Sequence, residues 1–139
     1  MKALSKEAEL IFRVAMARCG TGSGASCKID QAPGRYIALC VEQIGSVDYC
    51  GTVFPLWSFA HYGEQNGDAM RDPDVVMMDA GLQGLFPVSW QNDYVGMDDD
   101  CLVYDDSGRA TGYRVKTQAD LAAFCGMWAG NLREQQGLC

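Results

Sequence analysis

His61 is the only histidine of the chain, and it heads the densest polar run, His61-Tyr62-Gly63-Glu64-Gln65-Asn66-Gly67-Asp68-Ala69-Met70-Arg71-Asp72-Pro73. Carboxylates recur there at Glu64, Asp68 and Asp72. Two further polar runs follow, Ser89-Trp90-Gln91-Asn92-Asp93-Tyr94 and Asp98-Asp99-Asp100. One imidazole among carboxylates suits Mg²⁺, Mn²⁺ or Zn²⁺. A set of His61, Glu64, Asp68 and Asp93 would let such an ion activate water against a phosphodiester or a nucleotide. That metal-dependent hydrolase is the alternative reading of the chain. The same residues also arise without a metal. Asn-Gly-Asp is ordinary turn chemistry, and Asp72-Pro73 suits the entry to a strand. By twofold alternation His61 shares a face with Trp57 and Phe59, where a packed, hydrogen-bonded histidine is expected.

Nucleophilic catalysis finds less support. Seven cysteines are present, at 19, 27, 40, 50, 101, 125 and 139, and none forms a Cys-x-x-Cys pair. No local motif couples one of them to His61, and Ser58 and Ser89 sit in no nucleophile elbow. Cys19, Cys27, Cys40 and Cys50 would have to converge through folding to hold a metal. The simpler expectation is free thiols in a reducing compartment, with Cys125 buried on a helix face.

The 139 residues fit one domain, and a hydrophobic content of 48% supports a packed core. The net charge is −7, unevenly spread. Residues 1–60 carry six basic and five acidic side chains, and residues 109–139 carry four basic and two acidic ones. Residues 61–108 carry one basic and eleven acidic. An acidic block of this kind disfavours direct nucleic-acid binding and favours proteins that themselves bind nucleic acid. No apolar stretch approaches the roughly 20 residues that span a bilayer. Lys6, Glu7, Glu9, Arg13 and Arg18 interrupt the first apolar stretch, so no signal peptide is expected and the protein is placed in the cytoplasm.

These residues need elements to position them. Leu10, Ile11, Val14 and Arg18 predict a helix over residues 6–18, with Ser5 as its N-cap and Gly20 as its end. A Gly/Ser stretch over residues 20–26 is expected to be a linker, because a phosphate-cradling loop needs a strand before it and a helix after it. Strands are predicted over residues 36–44, 53–62, 74–79 and 85–90, with a turn at Asn66-Gly67. A hairpin about residues 105–108 joins residues 101–104 to 111–115. Leu121, Phe124, Cys125, Trp128 and Leu132 mark a C-terminal helix, with Thr117 as the expected cap and Gly137 past its end. The fold class is therefore α+β in two layers. An antiparallel sheet of five to six strands is covered by the two terminal helices. The Asp98–Asp100 run is expected to be a solvated loop.

The string from His61 to Met77 resembles the signature of an uncharacterised bacterial family, the domain of unknown function 6908. The resemblance rests on the His-Tyr pair, on Glu64 to Asp68 and on Met70-Arg71-Asp72-Pro73. It continues in Gln91-Asn92-Asp93-Tyr94-Val95-Gly96 and in the Trp-bearing C-terminal helix. It covers about residues 34–137, and it leaves residues 1–33 as an N-terminal helix and loop on a single domain. It implies cargo of plasmids, integrative elements and phages, and it brings no catalytic or binding residue with it.

The reading that follows is a non-enzymatic, protein-binding accessory factor without cofactor or metal. Its sharpest form is an anti-defence inhibitor, similar to anti-CRISPR and antirestriction proteins, that occupies a basic nucleic-acid groove of a host protein or nucleoprotein complex. Asp98, Asp99, Asp100, Asp105 and Asp106 would contact that groove. Glu64, Asp68 and Asp72 would add shape, and Trp90 and Tyr94 would serve as anchors.

Overall fold

The computed structural model describes residues 1–20, 22 and 24–138. Helix α1 spans Lys6–Ala17, and the Ser5 side chain accepts the Ala8 N–H at 3.2 Å. That bond satisfies one of the amides a helix start leaves without a partner. Ala8, Ile11, Phe12, Ala15 and Met16 form its buried face, at helical spacing. Strands follow as β1 (Ser26–Ile29), β2 (Leu39–Tyr49), β3 (Thr52–Gln65), β4 (Asp68–Asp79), β5 (Leu85–Asn92), β6 (Met97–Asp100), β7 (Leu102–Tyr104) and β8 (Ala110–Tyr113). Helix α2 spans Val115–Gln136 and ends at Gly137, whose φ of 63° is left-handed.

The sheet runs β6-β5-β4-β3-β2-β8-β7, with β1 beside β2. Neighbours are antiparallel except for one parallel contact between β2 and β8, Tyr49 against Ala110. β6 and β7 stand at opposite ends of this order, yet only Cys101 separates them in sequence. The sheet must therefore curl back on itself. Cys101 holds the join, donating its N–H to Val88 O and accepting the Arg114 N–H, each at 2.7 Å.

The α+β class and the terminal helices agree with the sequence reading, and the described strands number eight rather than five or six. Two of the added strands are short and lie where the sequence suggested no strand. β1 begins at the end of the expected linker, and β6 contains the aspartate run that was expected to be a loop. β1 has one strong strand former, Ile29, and the aspartate run has none; each is drawn into the sheet by pairing with a longer neighbour. The hairpin turn lengthens two other strands. Asn66 and Gly67 take φ values of 54° and 86°, the geometry of a two-residue turn, and pairing then extends down both arms. Thr117 is not the cap of α2. The helix starts two residues earlier, after Arg114, with no side-chain cap.

Alternate residues of each strand face opposite sides. Trp57, Phe59, Val75, Met77 and Leu85 face the helices, and they pack with Phe12, Ala15, Leu121, Cys125, Trp128 and Leu132. On the other side Val47, Met78, Val88, Leu102 and Ala110 make a smaller cluster inside the curled end. Two fully buried glutamines secure the chain ends. Gln118 donates to Lys2 O and Pro87 O and accepts the Lys2 N–H, while Gln136 accepts the Gln31 N–H and donates to Ile37 O.

The cysteines depart from the free-thiol expectation at one pair. Cys19 and Cys27 form a disulfide, their Cα atoms 4.9 Å apart. It closes the glycine-rich loop, of which Thr21 and Ser23 lie outside the described residues, as does Cys139. Cys40 lies near the start of β2 and Cys50 in the turn just past its end, roughly 30 Å apart along an extended strand, so the four do not converge. Cys125 is fully buried, as expected. No described helix is long and apolar enough to cross a membrane.

Candidate functional site

His61 sits on β3 beneath α2 and is 8% exposed. Its Nδ1 lies 2.9 Å from Ala38 O, and its Nε2 accepts the Trp128 indole N–H at 3.2 Å. A carbonyl on one side requires a proton on Nδ1, and a donor on the other requires a lone pair on Nε2. Both nitrogens are thereby engaged, and the ring is held as one neutral tautomer. The His61 and Trp128 rings meet edge to face with centroids 5.4 Å apart. This is the packed histidine that strand alternation suggested.

The other members of the hydrolase set lie elsewhere. Glu64 and Asp68 flank the exposed β3–β4 turn. Asp93 belongs to a clasp between that hairpin and the β5–β6 connection. Its carboxylate accepts Arg71 N at 2.8 Å and Arg71 Nε at 3.0 Å. Arg71 also donates to Gln91 Oε1 at 2.7 Å, and Asn92 donates to Asp72 at 2.8 Å. Tyr94 donates to Glu64 O at 3.4 Å. Its ring lies so close over Gly63 that a Cβ there would meet Tyr94 Cζ at 3.1 Å. Arg71 pairs with Tyr62, so it occupies the face away from His61. The Arg71 guanidinium and backbone N–H hold the Asp93 carboxyl below its ordinary range. Among the described residues, no three His, Cys, Asp or Glu side chains gather so as to hold a metal ion.

The three aspartates of β6 divide by the strand period. Asp98 pairs with Gln91 and Asp100 with Ser89, on the face away from the helices. Asp99 pairs with Trp90, on the helix side. Following the register across the sheet, Cys40, Ala60, Asp74, Gln91 and Asp98 form one row, and Glu42, Ser58, Val76, Ser89 and Asp100 form the next. Glu42, Asp74, Asp98 and Asp100 thus share one face. Asp74 is the least solvated of them. It accepts the Ser58 hydroxyl at 2.6 Å, and burial still pushes its carboxyl above the ordinary range. Asp100 accepts the Leu102 N–H at 2.9 Å and the Tyr104 hydroxyl at 3.0 Å. Burial and this carboxylate together push the Tyr104 hydroxyl up to about 12.

Asp105 is not free to greet a partner. It accepts Ser107 N and Oγ at 2.9 and 2.7 Å and Arg109 N at 3.0 Å, which builds the β7–β8 turn. Asp106 is exposed in the same turn. Of the aromatic anchors, Tyr94 is exposed and Trp90 is half-buried.

Sequence reasoning missed a cleft of about 330 Å³ between β5, β6 and the start of α2, lined by Trp90, Asp99, Thr117, Asp120, Leu121 and Phe124. Trp90 and Phe124 are tilted by 33° with centroids 6.3 Å apart, and Phe124 stacks on Trp128 at 5.9 Å. The chain of rings continues through Phe12 to Phe59, at 5.6 and 4.9 Å. The sequence did mark Trp90 and the Phe124 stripe separately. Only the fold places them across from each other.

A family model described as a domain of unknown function, DUF6908, matches residues 6–138. The chain belongs to this family. No curated protein and no solved structure matches it. The matched span begins at Lys6, so it includes α1 and the glycine-rich loop as well as the part from residue 34 onward. In this DUF6908 domain the polar stretches that begin at His61 and at Ser89 are bonded to each other through Arg71, Asp72, Gln91, Asn92 and Asp93. Arg71, Asp72, Gln91, Asn92 and Asp93 therefore spend their polar groups on the clasp. The aspartates of β6 and the cleft beside them lie outside that clasp, with Asp98 and Asp100 exposed.

Proposed function

We propose that this DUF6908 domain is a non-enzymatic factor that binds a protein through its acidic sheet end. In its sharpest form it is an anti-defence inhibitor from a phage or plasmid, seated in the basic nucleic-acid groove of a host complex. The observation that carries the reading is the register of β6. It sets Asp98 and Asp100 in rows with Asp74 and Glu42 on one uncovered face, and it aims Asp99 at the adjoining cleft. Carboxylates on an edge strand also keep it from pairing with another sheet, so they serve solubility as well. A basic partner turns the same field into attraction and speeds association. The alternative hydrolase has no comparable support, because His61 is bonded on both nitrogens inside the core and Asp93 is bonded to Arg71.

The test is affinity capture from host lysate at low and high salt, against the Asp98/Asp99/Asp100→Asn variant. The expected result is a nucleic-acid-handling complex that wild type retains at low salt, the variant loses, and high salt releases. The captured complex should also carry less nucleic acid than the free one. A variant that captures the same proteins as wild type contradicts the reading.

A further inference from the structure

We infer that the cleft between β5, β6 and α2 receives an arginine side chain from the partner's basic segment; this rests on the partner-binding reading above and names what that site takes. At about 330 Å³ the cleft lies at the small end of ligand pockets, which suits one side chain. Its walls are mostly apolar, with Trp90 on the strand side and Phe124 on the helix side. Phe124 rests on Trp128, and Trp128 is tied to His61, so the aromatic wall is held in place before any partner arrives.

Charge selects the occupant. Asp99 stands on the strand wall and Asp120 on the helix wall, and no basic side chain lines the cleft. Asp98 and Asp100 on the same strand deepen the negative potential. Asp120 does meet Lys116 at 3.3 Å, but their side chains are 69% and 93% exposed. Such a pair contributes little and yields to a better-placed cation. An aliphatic side chain would strip water from two carboxylates and return nothing. An anion would be repelled. An ammonium would surrender a tight hydration shell for one point contact. A guanidinium is planar, weakly hydrated, able to lie against Trp90 or Phe124, and able to donate to carboxylates on both sides.

The probe is a capped Gly-Arg-Gly peptide, compared with the same peptide carrying citrulline or lysine. Trp57 and Trp128 are 6% and 5% exposed, so a fluorescence change on titration reports chiefly on Trp90. The arginine peptide should give a saturable change, with citrulline and lysine each weaker by about tenfold. Asp99→Asn/Asp120→Asn should weaken the arginine peptide by about tenfold while leaving the unfolding midpoint near that of wild type. Citrulline or lysine binding as tightly as arginine overturns the assignment, as does the lack of a saturable change. If that happens while the salt-sensitive complex is still captured, the cleft assignment fails and the partner-binding reading stands. If arginine binds the cleft and no such complex is captured, the partner-binding reading fails, and the assignment of a partner's arginine fails with it.

Discussion

Toward β6 the two faces of the sheet differ in character, and the same strands supply both. On the helix-covered face, Phe59 and Val75 are fully buried and His61 bonds Ala38 and Trp128. On the other face, one residue away, Ser58 and Asp74 pair with each other, and Glu42, Asp98 and Asp100 meet solvent. The covered face gives up its polar groups to packing, because a buried donor or acceptor left unpaired is costly. The uncovered face keeps a carboxylate, Asp74, in surroundings that oppose its charge. Function is therefore to be sought where the polar groups are not consumed by the fold. By that criterion His61, chemically the most suggestive residue of the sequence, is taken up by the fold, with both ring nitrogens bonded.

The sharpest way to break this contrast is to open the covered face. Trp128→Ala removes the ring between Phe12 and Phe124 and leaves His61 Nε2 without its donor. It should cost about 3–5 kcal/mol in denaturant unfolding. Trp128→Phe keeps most of the packing and should cost about 1–2 kcal/mol, chiefly for the unpaired imidazole nitrogen. Cys19 and Cys27 both pack against this core, and their bond ties the end of α1 to β1. Breaking it with Cys19→Ser/Cys27→Ser should cost about 2–3 kcal/mol, the usual value for so short a loop. Cys19→Ser/Cys27→Ser should leave partner affinity unchanged while the protein remains folded, whereas Trp128→Ala should also weaken it, because Phe124 of the cleft rests on Trp128.

The uncovered face should answer with opposite signs. Asp74 has its folded carboxyl raised above the ordinary value of 3.8. Folding therefore favours its protonated form, and its charge opposes stability at neutral pH. Asp74→Asn, which can still accept from Ser58, should stabilise the protein at pH 7 by less than Trp128→Phe destabilises it. The advantage should shrink as pH falls through the folded value and vanish below about 3.8. Asp93 is the contrasting case, lowered by Arg71. Its contribution is present above 3.8 and is lost as pH falls through the lower, folded value. Arg71→Gln should therefore destabilise the clasp slightly at pH 7, and the difference from wild type should close in acid. Thermal unfolding from pH 7 to pH 2 checks both, with Asp74→Asn and Arg71→Gln diverging from wild type in opposite directions.

How much of this the sequence disclosed follows from the range of the interactions. The α1 cap at Ser5, the Asn66-Gly67 turn and the apolar stripe of α2 depend on neighbours within one turn, and local pattern exposed them. The same locality revealed that Trp57, Phe59 and His61 share a face. β6 was hidden because three consecutive aspartates have no strand preference; they become a strand only through pairing with β5. The division of Asp98 and Asp100 from Asp99 is a consequence of that pairing, so a run of like charges gave no hint of it. Asp105 seemed available to a partner, yet its oxygens close its own turn. The cleft joins Trp90 to Phe124 across a layer boundary, and no spacing along the chain records such a contact. The disulfide likewise depends on α1 and β1 meeting around a loop.

The most direct measurement compares two double variants in quantitative capture of the salt-sensitive host complex. Asp98→Asn/Asp100→Asn discharges the uncovered face, and Asp99→Asn/Asp120→Asn discharges the cleft. The account predicts that both variants bind more weakly than wild type, that both retain the wild-type unfolding free energy within about 0.5 kcal/mol, and that Asp98→Asn/Asp100→Asn shows the shallower dependence on salt. Wild-type binding by both variants, or binding that salt does not weaken, would contradict the claim that the acidic end of the sheet is the partner surface.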